Sequence, residues 1–226
     1  MNRALFSLSS TRSLALLGAL LLALALVLIV GVSANKADGA TAVTKTVSNT
    51  GQILIPEFAV VGNCSSGQTK GVANPYPSHI QLSQANGFRR GSRILDVDLT
   101  LRNYTHTFPD DVDVLLVHGT RNRTVMSDVG GSNDVTNVTL TLDDEATNGI
   151  LPSDGQIVSG RFKPTNFNTF ATDTFPAPAP TPNSIPSLSG FDGQKANGGW
   201  DLFVFDDSSG DCGRFAGGWS LTINAR

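Results

Sequence analysis

Along the chain the apolar positions fall into short runs that alternate every second residue, at residues 53–61, 79–82, 94–101, 112–117, 124–126, 138–142, 157–162, 200–205 and 219–223. In residues 94–101 the pattern places Leu95, Val97, Leu99 and Leu101 on one face and Asp96, Asp98, Thr100 and Arg102 on the other. A period of two with one wet face predicts a strand of an antiparallel sheet. In residues 112–117 both faces are apolar after Asp113, which predicts a central strand covered on both sides. No stretch after residue 34 holds a helical period over three turns. Strands separated by Gly-, Asn- and Asp-rich turns predict an all-β, two-sheet sandwich.

Two stretches break the pattern. Residues 35–50 are small and polar and read as a flexible stalk ahead of a single domain at 51–226. Residues 172–188 hold five prolines in 17 residues. Only 38 residues follow them, too few for a second core, so they read as an extended crossover inside one domain, with Phe175 tucked in. The doublet Gly198, Gly199, Trp200 is echoed by Gly217, Gly218, Trp219, suggesting two neighbouring antiparallel strands with Trp at their entries.

Residues 1–34 form a different class of segment. Arg3 and Arg12 precede an unbroken apolar run at 14–32, and Val32, Ser33 and Ala34 offer a small-residue cleavage site, the layout of a secretory signal. Ala40, Thr41 and Ala42 offer a second site. The run is also long enough to span a bilayer, so an uncleaved N-terminal anchor is the alternative, and residues 14–32 are the membrane contact the sequence suggests. Either way the remainder is expected to be secreted or extracytoplasmic.

The chain's 226 residues include 16 Lys plus Arg, 19 Asp plus Glu and 23 Gly, for a net charge of −3. That balance, without a basic block, weighs against nucleic acid as partner. Both cysteines, Cys64 and Cys212, fall in the exported part, where an even count suggests a disulfide. Of the acids 17 are Asp and two are Glu, and Asp concentrates at predicted strand ends. Such loops supply hard oxygen ligands for calcium; the alternative is that short Asp side chains cap turns. The candidate calcium residues are Asp110, Asp111 and Asp113 with Asp206, Asp207 and Asp211. Trp200, Trp219 and Phe203 read as core rather than as a sugar platform.

The strand at 94–101 (ILDVDLTL) and the runs THTFPDDVDVLLV, VMSDVGG, VTLTLDD, NGGWDLFVFD and GGWSLTI together resemble the P domain, or Homo B domain, which follows the catalytic domain in subtilisin-like proprotein convertases and in many secreted bacterial proteases. The resemblance covers about residues 53–224. It implies a jelly-roll β-sandwich of galactose-binding-like topology that packs against a protease domain and supports its folding. His118 opens an H-G-T triplet like the start of the subtilase histidine motif, but no helix and no nucleophile motif follow it. His79 and His106 have no third ligand at a zinc-like spacing. No P-loop, HExxH, CxxC or G-x-S-x-G motif occurs.

The sequence thus points to a non-catalytic, exported accessory module that supports a separate exported protease. The alternative is a calcium-dependent module that binds a cell-surface protein or glycan. Serine endopeptidase activity inherited from the family is the reading the residues support least.

Overall fold

The clearest alternation in the sequence becomes the centre of a sheet. In the computed structural model, which describes residues 41–56, 69–167 and 173–226, strand β5 (Ile94–His106) has neighbours on both edges. On one edge lie β13 (Trp219–Ala225) and, further along, β12 (Gly213–Phe215); on the other lies β8 (Val135–Leu142). β1 (Val43–Asn49), β2 (Ile53–Ile55) and β9 (Gly160–Phe162) complete this seven-stranded sheet. The second, six-stranded sheet pairs β6 (Val112–His118) with β7 (Arg121–Ser127) and β11 (Gly198–Asp206). β3 (Gly71–Val72), β4 (Ser78–Leu82) and β10 (Thr165–Asn166) fill its edges. Among the described residues the helical elements are three short 3-10 turns, as the missing helical period implies.

The sheets face each other as a β-sandwich. Val97, Leu99, Leu101, Leu221 and Ile223 of the first sheet pack in one core with Val114, Leu116, Leu202 and Val204 of the second. Trp200 and Trp219 are both fully buried in this core. They stand in different sheets, so the expected pairing of their strands is wrong. The turn between them contains β12, and the chain changes sheet there.

Three further expectations need correction. Residues 43–49, read as part of a stalk, form β1, an edge strand paired along its length with β13; the β-branched Val43, Thr44, Thr46 and Val47 suit a half-buried edge. Leu95 is 42% exposed. The β5–β13 register slips between Asn224 and Ala225, so Ile94 takes the inward place that strict alternation gives to Leu95. The run at 157–162 yields a strand only from Gly160.

β6 lies between β7 and β11 and is covered on both faces, as its sequence implies. Its outer face is covered by the proline-rich crossover. Phe175 is buried against Leu115, Phe203 and Phe205, the Tyr76 hydroxyl donates to Pro176 O at 2.8 Å, and Thr124 N donates to Asn183 O at 2.9 Å. No helix among the described residues is long and apolar enough to cross a membrane; the signal or anchor segment at 1–34, like Cys64, lies outside the described residues.

Candidate functional site at the acidic end

Sheet register decides where the carboxylates go. β5 ends at His106, β6 begins at Val112 and β11 ends at Asp206, and these termini meet at one end of the sandwich. Asp206 pairs with Val112 and Asp113 with Phe205, Asp207 N donates to Asp111 O at 2.9 Å, and the Thr107 hydroxyl donates to Asp211 Oδ1 at 2.8 Å. All six predicted aspartates therefore gather at this end.

They do not converge on one point, because alternation sends neighbours to opposite faces. Asp206 points between the sheets and is completely buried. Its Oδ2 has no hydrogen bond and lies 3.4 Å from His106 Nε2, which also lacks one. The fully buried Tyr104 beside them has an unpartnered hydroxyl, and burial, then the charge of Asp206, pushes its pKa well above the usual phenol value. Asp113 points the other way, under the proline-rich crossover, where burial and then Asp173 raise its pKa to about 9 against a hydrogen bond from Ser127.

The aspartates are linked by mutual repulsion. Burial raises Asp111 to about 7, helped by Asp206, Asp207, Asp211 and Asp110. Asp173, on the crossover, is raised to about 6 by burial and then by Asp128, against hydrogen bonds from Ser127 and Asn166. Asp110 and Asp207 are also pushed up, chiefly by burial and then by Asp128. Lys70 opposes the rise of Asp207.

Local backbone shapes this end. Asp128 (φ 55°) and Gly131 (φ 52°) both take left-handed conformations in the turn after β7. A Cβ on Gly131 would lie 2.2 Å from Asp154 Oδ1, so only glycine lets Asp154 approach. Asp154 and Asp173 were not among the predicted residues; one lies in an irregular loop and the other in the proline-rich segment, neither of which shows strand alternation.

The donor chemistry suits calcium, yet among the described residues no group of three or more His, Cys, Asp or Glu is placed to hold a metal ion. Opposed directions of Asp113 and Asp206 rule out all six predicted residues as one ligand set. Cys212, in the same turn as Asp211, is disulfide-bonded.

The histidines are placed apart. His118 is buried: its ring stacks on Trp200 at 4.0 Å, and both ring nitrogens face backbone carbonyls, Gly199 O at 2.8 Å and Lys195 O at 2.7 Å. His118 does end a strand, and Gly119 (φ 58°) turns the chain after it. His79 lies on the surface, with Nδ1 at 2.6 Å from Asp201 Oδ1. No protein-family model, curated protein or solved structure matches the chain.

Proposed function

We propose that the chain is an exported, non-catalytic interaction module of the P-domain kind, a jelly-roll sandwich whose acidic end is its working surface and which supports or docks a separate exported protease. The observation that carries this reading is the group of mutually repelling carboxylates at one end, where Lys70 opposes the rise of Asp207 alone. A partly buried cluster of like charge costs folding stability, and a cation or cationic partner seated there offsets that cost. The P-domain resemblance adds support, since its DVDVLLV run forms β6 and its two Gly-Trp runs enter β11 and β13, one in each sheet.

The second reading, a calcium-dependent module for a surface protein or glycan, is favoured by the gathering of Asp111, Asp207 and Asp211 at one end, where Asp111 feels the charges of the other two. Calcium would draw carboxylate oxygens from the turns that bear Asp111, Asp207 and Asp211, with backbone carbonyls and water completing its shell. Melting curves in calcium and in chelator separate the two. Under the calcium reading the melting temperature rises with calcium by mass action, roughly 3 kcal/mol at a hundredfold excess over Kd, and Asp111→Asn with Asp207→Asn removes the rise. Under the docking reading calcium changes little, and the chain prolongs the activity of a co-secreted subtilisin-like protease. Cleavage of unstructured protein by the purified chain would overturn both.

A further inference from the structure

The end opposite the carboxylates has the reverse charge. β5 runs 13 residues from Ile94 to His106, roughly 40 Å at about 3.3 Å per residue. Around its first residue the chain gathers Lys45, Arg89, Arg90, Arg93, Arg121, Lys195 and Arg226, all seven exposed. Arg93 and Arg226 exchange backbone hydrogen bonds at 2.6 and 2.9 Å, and Arg93 bridges to Lys195. Asn197 Nδ2 donates to Arg89 O at 3.2 Å, Lys45 reaches Gly87 in the loop that carries Arg89 and Arg90, and Arg121 pairs with His118. Asp96, Asp144 and Asp192 are carboxylates nearby; burial raises Asp192, which also feels Asp96 and Asp144. At the far end nine carboxylates, Asp110, Asp111, Asp113, Asp128, Asp154, Asp173, Asp206, Asp207 and Asp211, form the repelling group. Asp206 among them is fully buried and faces His106 Nε2 at 3.4 Å between the sheets, so other carboxylates form the surface of this end.

We propose that the basic end of one copy docks on the acidic end of the next, so that the chain associates head to tail. The ends lie several Debye lengths apart at physiological salt, so neither neutralises the other within one molecule. Two different patches meeting in this way form a heterologous contact, which continues along a row of copies unless it closes into a ring. Seating cations against Asp111 and Asp207 favours their ionised forms, so association releases protons and strengthens as pH rises. The proposal rests on the acidic end being the working surface, but it fails separately. Calcium melts report on that end alone, whereas association needs both ends.

Sedimentation velocity of the purified chain across a concentration series tests it. At low ionic strength the weight-average mass is expected to climb past twice the monomer mass, and to return to the monomer mass when salt shortens the Debye length to about 3 Å. Arg89→Glu with Arg90→Glu cancels most of the positive charge of the basic end. Asp154→Lys with Asp207→Lys weakens the other end. Each double variant is expected to stay monomeric alone at low salt, and an equimolar mixture of the two to associate again. A wild-type chain that remains monomeric at low salt at every concentration overturns the proposal, as does association that survives both reversals. Melting curves of the variants show whether each is folded, and the wild-type salt series needs no variant at all.

Discussion

Two groups of carboxylates in this molecule meet burial in opposite ways. On the outer face of the first sheet Asp98 and Asp143 share Arg161, which donates to both oxygens of Asp98 at 3.0 Å and to Asp143 Oδ2. Burial pushes Asp143 up, but hydrogen bonds from Arg161 and from the Glu145 backbone outweigh it, and its pKa ends below the usual value. Asp98 still rises to about 6, burial winning over Arg161. At the acidic end, among the described residues, no arginine pairs with Asp111, Asp113 or Asp173, and all three rise. A cluster that serves only structure carries its own counter-charge; one that lacks it is stable to the extent that protons or outside cations supply it.

The largest expected effect follows from this contrast. Asp113, Asp111 and Asp173 have folded pKa values of about 9, 7 and 6, against 3.8 for an unperturbed Asp. The folded state therefore holds more protons than the unfolded one between these values, and stability falls as pH rises across that window. Their contribution is greatest below about pH 4 and is lost in turn as pH passes about 6, 7 and 9. At roughly 1.4 kcal/mol per pKa unit, reduced for solvent screening, the loss is on the order of a few kcal/mol. Melts in chelator at low salt should show a lower melting temperature at pH 9 than at pH 5, by roughly 5–10 °C for a domain of this size. Asp113→Asn should flatten the alkaline part of that decline. A melting temperature that holds or rises over the same range would mean that the acidic end is not strained.

The paired cluster yields the next effect, with the opposite sign. Because Asp143 is lowered, its contribution is present above the unfolded pKa and is lost as pH falls through the folded one, on the acid side of the profile. Arg161→Ala strands Asp143, whose side chain is 2% exposed. The expected cost is about 1–3 kcal/mol, toward the low end because the Arg161 side chain is 53% exposed. Denaturant unfolding of Arg161→Ala, Asp143→Asn and the double variant measures the coupling. If the two single losses simply add, the pair is not a unit.

How far these regions were legible in the sequence follows from what alternation encodes. β6 and its covered outer face could be read directly, since Val112, Val114 and Leu116 alternate with Leu115 and Val117. The loops bearing Asp110, Asp111, Asp206, Asp207 and Asp211 could be placed at strand ends, and they share one end. The inward turn of His106 could not be read. The β5–β8 register slips between Leu101 and Tyr104 and again before His106, with Asn103 at φ 55°, so Tyr104 and His106 point inward where strict alternation would turn both outward. Only the folded pairing, including the 2.6 Å bond from Asn103 Nδ2 to Asn137 Oδ1, shows that bulge. The Arg161 pairing was equally hidden, since β9 lies parallel to β8 and brings in a residue 63 positions away from Asp98. Charge composition gave a net of −3 but not its division between two ends, which depends on which strand termini coincide.

The smallest expected effect is the one that tells a strained surface from a merely acidic one. Asp207 is exposed, and its charge reaches Asp111, Asp113 and Asp173. Asp207→Asn removes that charge without opening a cavity, so in chelator at neutral pH and low salt it should stabilise the fold by a few tenths of a kcal/mol, the scale of an exposed charge interaction. Raised salt should shrink the gain, because screening already weakens the repulsion the substitution removes. Asp201→Asn supplies the contrast, since Asp201 faces His79 across 2.6 Å and its loss should be neutral or slightly destabilising. If Asp207→Asn instead costs stability in chelator, its side chain makes a contact worth more than the repulsion it feels, and the acidic end is a capped turn rather than a surface awaiting a cation.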